Sequence, residues 1–66
     1  MTLTLNGEER SFSGVRDLAG LVASLGLDAR KVAVERNLEI VPRSAYGVTA
    51  LREGDRIEIV HFIGGG

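Results

Sequence analysis

Met1-Thr2-Leu3-Thr4-Leu5-Asn6-Gly7-Glu8-Glu9-Arg10-Ser11-Phe12-Ser13 opens the chain and decides how the rest is read. Met1, Leu3 and Leu5 alternate with Thr2 and Thr4, the period of a half-buried strand. Asn6-Gly7 follows at once, and both residues tolerate the positive φ that the centre of a type I′ hairpin turn requires. The return strand is predicted over residues 9–13, with Phe12 directed into the core. Arg10 shares that face, so its guanidinium needs a bulge or an edge position.

Beyond the hairpin the period changes. Leu18, Leu21, Val22 and Leu25 stand at i, i+3, i+4 and i+7 and form one apolar stripe, which predicts a helix over residues 15–25. Ser13 or Gly14 can cap it, Asp17 places negative charge in its first turn, and Gly26 suits its C′ position. Gly20 inside the helix suggests a close approach to the sheet. Leu27 covers one end of the core. Val32 to Glu35 reads as the next strand, Asn37 as a turn, and Glu39 to Val41 as a short strand ended by Pro42. Residues 43–50 read as polar and irregular, and Leu51 as an anchor to the core. Glu53-Gly54-Asp55 is a turn with Asp55 solvated. Arg56 to Phe62 is the last strand, with Ile57 and Ile59 inward.

This order, β-β-α-β-β-β, predicts an α+β two-layer domain with one main helix on one face of a mixed four- to five-stranded sheet. The crossover through the helix is expected to set the third strand parallel to the first. The resulting fold is the β-grasp, or ubiquitin-like, roll. Residues 1–63 form the domain and residues 64–66 a flexible glycine tail.

The composition excludes several function classes. The 66 residues allow one small domain. No cysteine is present, so the chain carries no disulfide, thiolate metal site or thiol chemistry. A reducing cytoplasmic setting fits. Net charge is −1, which provides no basic footprint for nucleic acid. No apolar run reaches the length of a membrane span, and the N-terminal residues lack the pattern of a signal peptide. Neither a nucleophile–base pair nor a metal-ligand cluster is evident, so an enzyme acting alone is not expected. His61, the only histidine, falls near the end of the last strand on the face of Ile57 and Ile59 and reads as a packed or edge residue.

The chain ends Val60-His61-Phe62-Ile63-Gly64-Gly65-Gly66. Taken alone, three glycines after a strand are either a frayed end or a handle that offers the α-carboxylate of Gly66. Glycines lack Cβ and reach most of φ/ψ space, so such a tail can thread a narrow channel. Val60 and Phe62 fall on the outer sheet face beside Ala33. They either form a docking surface, rimmed by Arg36, Arg43 and Arg56, or are covered by other parts of the molecule or a neighbour.

Several stretches together carry a family resemblance. They are Leu5-Asn6-Gly7-Glu8, Val32-Ala33-Val34-Glu35-Arg36-Asn37, Ile40-Val41-Pro42-Arg43-Ser44, and Leu51 to Val60 followed by the terminal glycines. In this order the chain resembles, over essentially its whole length, the ThiS-type sulfur carriers of bacterial thiamine biosynthesis. A third glycine stands where two would suffice. The resemblance implies a protein co-substrate and not an enzyme. An E1-like adenylyltransferase, using ATP and Mg²⁺ at its own site, would adenylate the Gly66 carboxylate. A sulfur-donor enzyme would convert it to a thiocarboxylate, and a thiazole synthase would take the sulfur. Gly64 and Gly65 would form the stalk, and Val60, Phe62, Ile63, Ala33, Arg36 and Arg43 the partner interface. The chain would bind no cofactor, metal, nucleic acid or membrane. Two alternatives remain at this stage. One is the related carrier for molybdenum-cofactor synthesis, and the other is a ubiquitin-like interaction module with an inert tail.

Overall fold

The structure, a computed structural model, describes residues 1–62. Five strands form one sheet, ordered β2-β1-β5-β3-β4. They are β1 (Thr2–Leu5), β2 (Glu8–Ser11), β3 (Val32–Arg36), β4 (Glu39–Val41) and β5 (Arg56–His61). One α-helix, α1 (Leu18–Ser24), and two 3₁₀ segments, Ala29–Lys31 and Arg43–Val48, complete the fold. Leu18, Leu21 and Val22 of α1 pack on Leu3, Leu5, Val32, Val34, Ile57 and Ile59, so the helix covers one face of a mixed sheet. This is the β-grasp architecture that the sequence predicts.

The first hairpin forms as expected. Asn6 and Gly7 have φ of 49° and 82°, and β1 and β2 pair antiparallel from Thr2↔Ser11 to Leu5↔Glu8. The return strand ends two residues earlier than predicted. Phe12 lies beyond it, half-buried against the core, with the Arg10 guanidinium 5.4 Å above its ring. β2 is an edge strand with every residue exposed, which solves the problem of the Arg10 charge.

The strand order corrects one expectation. β3 does not lie beside β1. The parallel neighbour of β1 is β5, through Thr4↔Arg56 and Leu5↔Ile57, and β3 is antiparallel to β5. The right-handed rule fixes the hand of a parallel crossover, not which later strand becomes the neighbour. β5 carries Ile57 and Ile59 against the helix and takes the centre.

The helix starts three residues later than its apolar pattern implies. Asp17 is held extended in a bridge to Ala50: Leu18 N–H donates to Thr49 O (3.1 Å) and Leu51 N–H to Arg16 O (2.9 Å). The cap is therefore Asp17, not Ser13 or Gly14, and its carboxylate accepts from Gly20 N–H at 2.8 Å. A Cβ on Gly20 would meet that carboxylate oxygen at 3.4 Å, and no sheet atom lies nearer, so close helix–sheet approach does not explain the glycine. The C-terminus ends as predicted. Gly26, at φ 74°, donates to Ala23 O while Leu27 N–H donates to Val22 O, the paired bonds of a Schellman motif.

Two further corrections concern the second half. Residues 43–50 are not irregular: Arg43–Val48 coils into a 3₁₀ segment that buries Tyr46. Asp55 is not solvated. It is 7% exposed and accepts from Arg36 Nε (3.0 Å), Asn37 Nδ2 (3.1 Å) and Arg52 N–H (2.9 Å). Asn37 completes the cluster by accepting from Arg56 N–H at 2.9 Å. Together these bonds tie the β3–β4 turn to the start of β5.

Candidate functional site

β5 is the strand that leads to the C-terminal residues, and its two faces differ. Ile57 and Ile59 point to the helix and are buried, while Val60 is 59% exposed. Phe62, just past the strand, is 62% exposed, and its N–H donates to Lys31 O at 2.9 Å, which extends the β5–β3 pairing by one rung. Residues directly opposite in an antiparallel pair share a face. The register Ala33↔Val60 therefore places Ala33 beside Val60 on the outer face, as predicted. Glu35↔Ile40 on the next pair adds Ile40, which is 77% exposed. The outer face thus has an apolar sector of Ala33, Ile40, Val60 and Phe62, bordered by Glu35 and Glu58. Ile40 escaped the sequence reading because the alternation of so short a strand leaves its outward face undecided.

The basic residues divide. Arg36 pairs with Ile57 in the β3–β5 register, so it stands on the helix side of the sheet, with Nε 3.0 Å from Asp55 Oδ2. It is structural and does not rim the outer patch, contrary to expectation. Its alternation with Val32 and Val34 carried the signal. Arg43 stands where a rim residue is needed. It is exposed and lines a shallow groove of about 330 Å³ with Val32, Ala33, Ile40, Tyr46 and Phe62. Arg30 also lines this groove but is engaged by Asp28, with Nε–Oδ1 at 3.1 Å and Nη2–Oδ2 at 2.9 Å. These bonds from the Arg30 side chain, followed by that from its backbone N–H, hold the Asp28 carboxyl down at about 2. Among the described residues Arg43 makes no ion pair, so its charge is available to a partner.

Burial sets the electrostatics of two groups. It pushes the Tyr46 hydroxyl above its usual range, against the opposing pull of the Arg43 charge, so the phenol stays neutral. Burial alone would raise the Asp55 carboxyl. The hydrogen bonds from Asn37, Arg52 and Arg36 outweigh it and hold the group below the usual carboxylate range. His61 is exposed, pairs with Val32 and stands on the face of Ile57 and Ile59, as its position in the alternation predicts.

No group of three or more His, Cys, Asp or Glu among the described residues could hold a metal ion. No helix there is long and apolar enough to cross a membrane. The expectations for Ile63, Gly64, Gly65 and Gly66 lie outside the described residues.

Comparison with known proteins bears on this arrangement. A protein of Bacillus subtilis named sulfur carrier protein ThiS is 42% identical over 65 residues, covering 97% of this chain and 98% of that one. The crystal structure of a thiamine biosynthesis protein (ThiS) from Geobacter metallireducens superposes with a TM-score of 0.84 at 35% identity, over the full length of both chains. A thiazole synthase of Paramagnetospirillum magneticum is 59% identical over all 66 residues, yet the chain spans only 20% of that protein's length. The family model for the ThiS family matches residues 3–66, and with the geometry above this establishes that the chain belongs to the ThiS family.

Proposed function

We propose that this chain is a cytoplasmic sulfur carrier for thiazole formation in thiamine biosynthesis, acting as a co-substrate of partner enzymes and not as an enzyme itself. The reactive group is the α-carboxylate of Gly66 at the end of the Gly64–Gly66 stalk, with residues 1–63 serving as the recognition body. What supports the reading most is the full-length similarity to a named sulfur carrier, combined with an exposed apolar sector on the strand that leads to the glycines.

The chemistry asks little of the carrier. A free α-carboxyl titrates near 3.3–3.7, roughly, and is ionised at neutral pH. Its oxygen attacks the α-phosphorus of ATP and pyrophosphate leaves, giving an acyl-adenylate. Sulfur at the oxidation level of hydrosulfide adds to that carbonyl carbon and AMP departs, leaving the thiocarboxylate. An E1-like adenylyltransferase supplies the ATP and Mg²⁺ site and stabilises the charge that develops in transfer. A sulfur-donor enzyme supplies the nucleophile, and a thiazole synthase accepts the sulfur.

The body contributes binding. Ordering a flexible glycine segment costs about 1–2 kcal/mol per residue. Burial of Val60, Phe62, Ala33 and Ile40 against a partner offsets that cost, and Arg43 adds a charge that steers the approach. The thiazole synthase relative with a segment equivalent to this chain favours the thiazole route over molybdenum-cofactor synthesis.

Reconstitution tests the reading. The chain, an adenylyltransferase with ATP and Mg²⁺, a sulfur donor, and a thiazole synthase with the substrates that supply the ring's carbon and nitrogen should form thiazole phosphate, and deletion of Gly66 should abolish product without lowering the melting temperature. Product formation that persists after the deletion would refute it.

A further inference from the structure

The two long edges of β5 are not equally used. The bond from Phe62 N–H to Lys31 O shows that even-numbered residues of β5 turn their backbone groups toward β3. The odd-numbered residues turn theirs toward β1. Thr4 N–H donates to Asp55 O, and Asn6 N–H to Ile57 O, both at 2.9 Å. At Ile59 the backbone of β1 has already turned into the hairpin, and the Asn6 side chain replaces it. Its Oδ1 accepts from Ile59 N–H at 2.8 Å and its Nδ2 donates to Ile59 O at 3.2 Å. One residue side chain thus imitates one more rung of strand.

The imitation stops there. His61 presents its N–H and C=O on the same edge, and among the described residues no hydrogen bond reaches either. An unpaired strand edge is a template for another chain. Beside it lies a groove of about 300 Å³ whose apolar wall is Leu5, Leu25, Leu27 and Ile59, with Asn6, Arg10 and His61 as its polar side chains, Asn6 being already bonded to Ile59. Arg10 stacks on Phe12 and makes no ion pair among the described residues. The apolar sector described above is on the opposite face of the sheet, so this groove is a separate feature.

We infer that an extended segment of the enzyme that takes up the C-terminal residues pairs with the β5 edge at His61. The segment lays an apolar side chain on Leu25 and Leu27 and an acidic side chain against Arg10. The open donor–acceptor pair selects an extended backbone, since strand addition uses main-chain bonds for affinity and side-chain pockets for specificity. The unpaired guanidinium selects an acid. Continuity selects the partner, because the edge belongs to the strand that delivers Gly66. The inference rests on the carrier reading in one respect, that an adenylyltransferase receives the C-terminal residues. Strand addition at His61 would fix the direction in which they leave the body.

The test uses the whole chain and the adenylyltransferase of the same organism. Chemical synthesis gives a chain N-methylated at His61, which lacks one donor and keeps every side chain. It should bind about fivefold or more weakly than the unmodified chain. Arg10→Glu should weaken binding about tenfold or more, while Arg10→Lys retains most of it. The His61 amide of the unmodified chain should exchange its proton more slowly in the complex than free. If the unmodified chain binds and acquires sulfur, but both altered chains bind as it does and the amide is not protected, the strand-pairing inference alone falls. If the unmodified chain neither binds nor acquires sulfur, the carrier reading falls and takes the inference with it. Protection of His61 in the free protein that grows with protein concentration would assign the edge to a second copy and overturn the inference.

Discussion

Asp55→Ala probes the least exposed charge among the described residues. Asp55 accepts three hydrogen bonds and fastens the β3–β4 turn, through Arg36 and Asn37, to the first residues of β5. Hydrogen bonds to a charged group are each worth about 1.5–3 kcal/mol. The sum overstates the loss, because Asn37 is exposed and Arg36 keeps access to water once released. We expect a loss of about 2–3 kcal/mol. A domain of 66 residues has about 3–10 kcal/mol in all. The melting temperature should therefore fall by about 8–24 °C, at about 4–8 °C per kcal/mol for this size. Acid provides the control. The carboxyl is held below its unfolded value, so its contribution is present above that value and disappears as pH falls through the folded one. The stability gap between the wild type and Asp55→Asn should close as pH falls from neutral to below the ordinary aspartate range. Denaturant unfolding followed by circular dichroism across that range measures both. An Asp55→Ala loss under about 0.5 kcal/mol, or a gap that does not change with pH, would refute the assignment of Asp55 as the fastening point.

Three other outcomes follow from single features. Leu38 is exposed at the hairpin tip with φ 72°, a region that costs a side chain about 1–2 kcal/mol. After the added unfolded-state entropy of glycine is subtracted, Leu38→Gly should stabilise the fold by about 0.5–1 kcal/mol in denaturant unfolding. The Asp28 carboxyl should titrate at about 2 by carbon NMR, and Arg30→Ala should return it toward the ordinary aspartate range. Phe62→Ala and Val60→Ala each remove an exposed apolar side chain. They should weaken adenylyltransferase binding about fivefold or more in calorimetry, while stability stays within about 0.5 kcal/mol of wild type.

Much of the fold was legible in the sequence because its signals are local. The Asn6-Gly7 turn, the Leu18/Leu21/Val22 stripe and the Gly26 stop each depend on neighbours a few residues away, and each forms as read. What the sequence concealed is set by distant partners. The helix start moved to Asp17 because residues 16–18 bond to Thr49 and Leu51, and no periodicity carries that information. The parallel partner of β1 is chosen by which strand best fills the centre of the sheet. Asp55 reads as a turn acid until Arg36 and Asn37, nearly twenty residues earlier, arrive beside it. At the candidate site, alternation placed Val60 and Phe62 correctly, and the register set Ala33 next to them. The same alternation argues against Arg36 as a rim residue, since it shares the parity of Val32 and Val34. Arg43 and Ile40 reach the patch only through the short β4 strand and the turn after Pro42, where local pattern is weakest.

The central claim is that Gly66 is the atom-bearing end of a sulfur carrier. Intact-mass and fragment-ion spectrometry test it most directly, after incubation with the adenylyltransferase, ATP, Mg²⁺ and a sulfur donor. The account predicts that one C-terminal oxygen is replaced by sulfur, located at the Gly66 carboxyl and dependent on ATP. A chain that stays unmodified beside a demonstrably active enzyme, or sulfur found on any other residue, would contradict it.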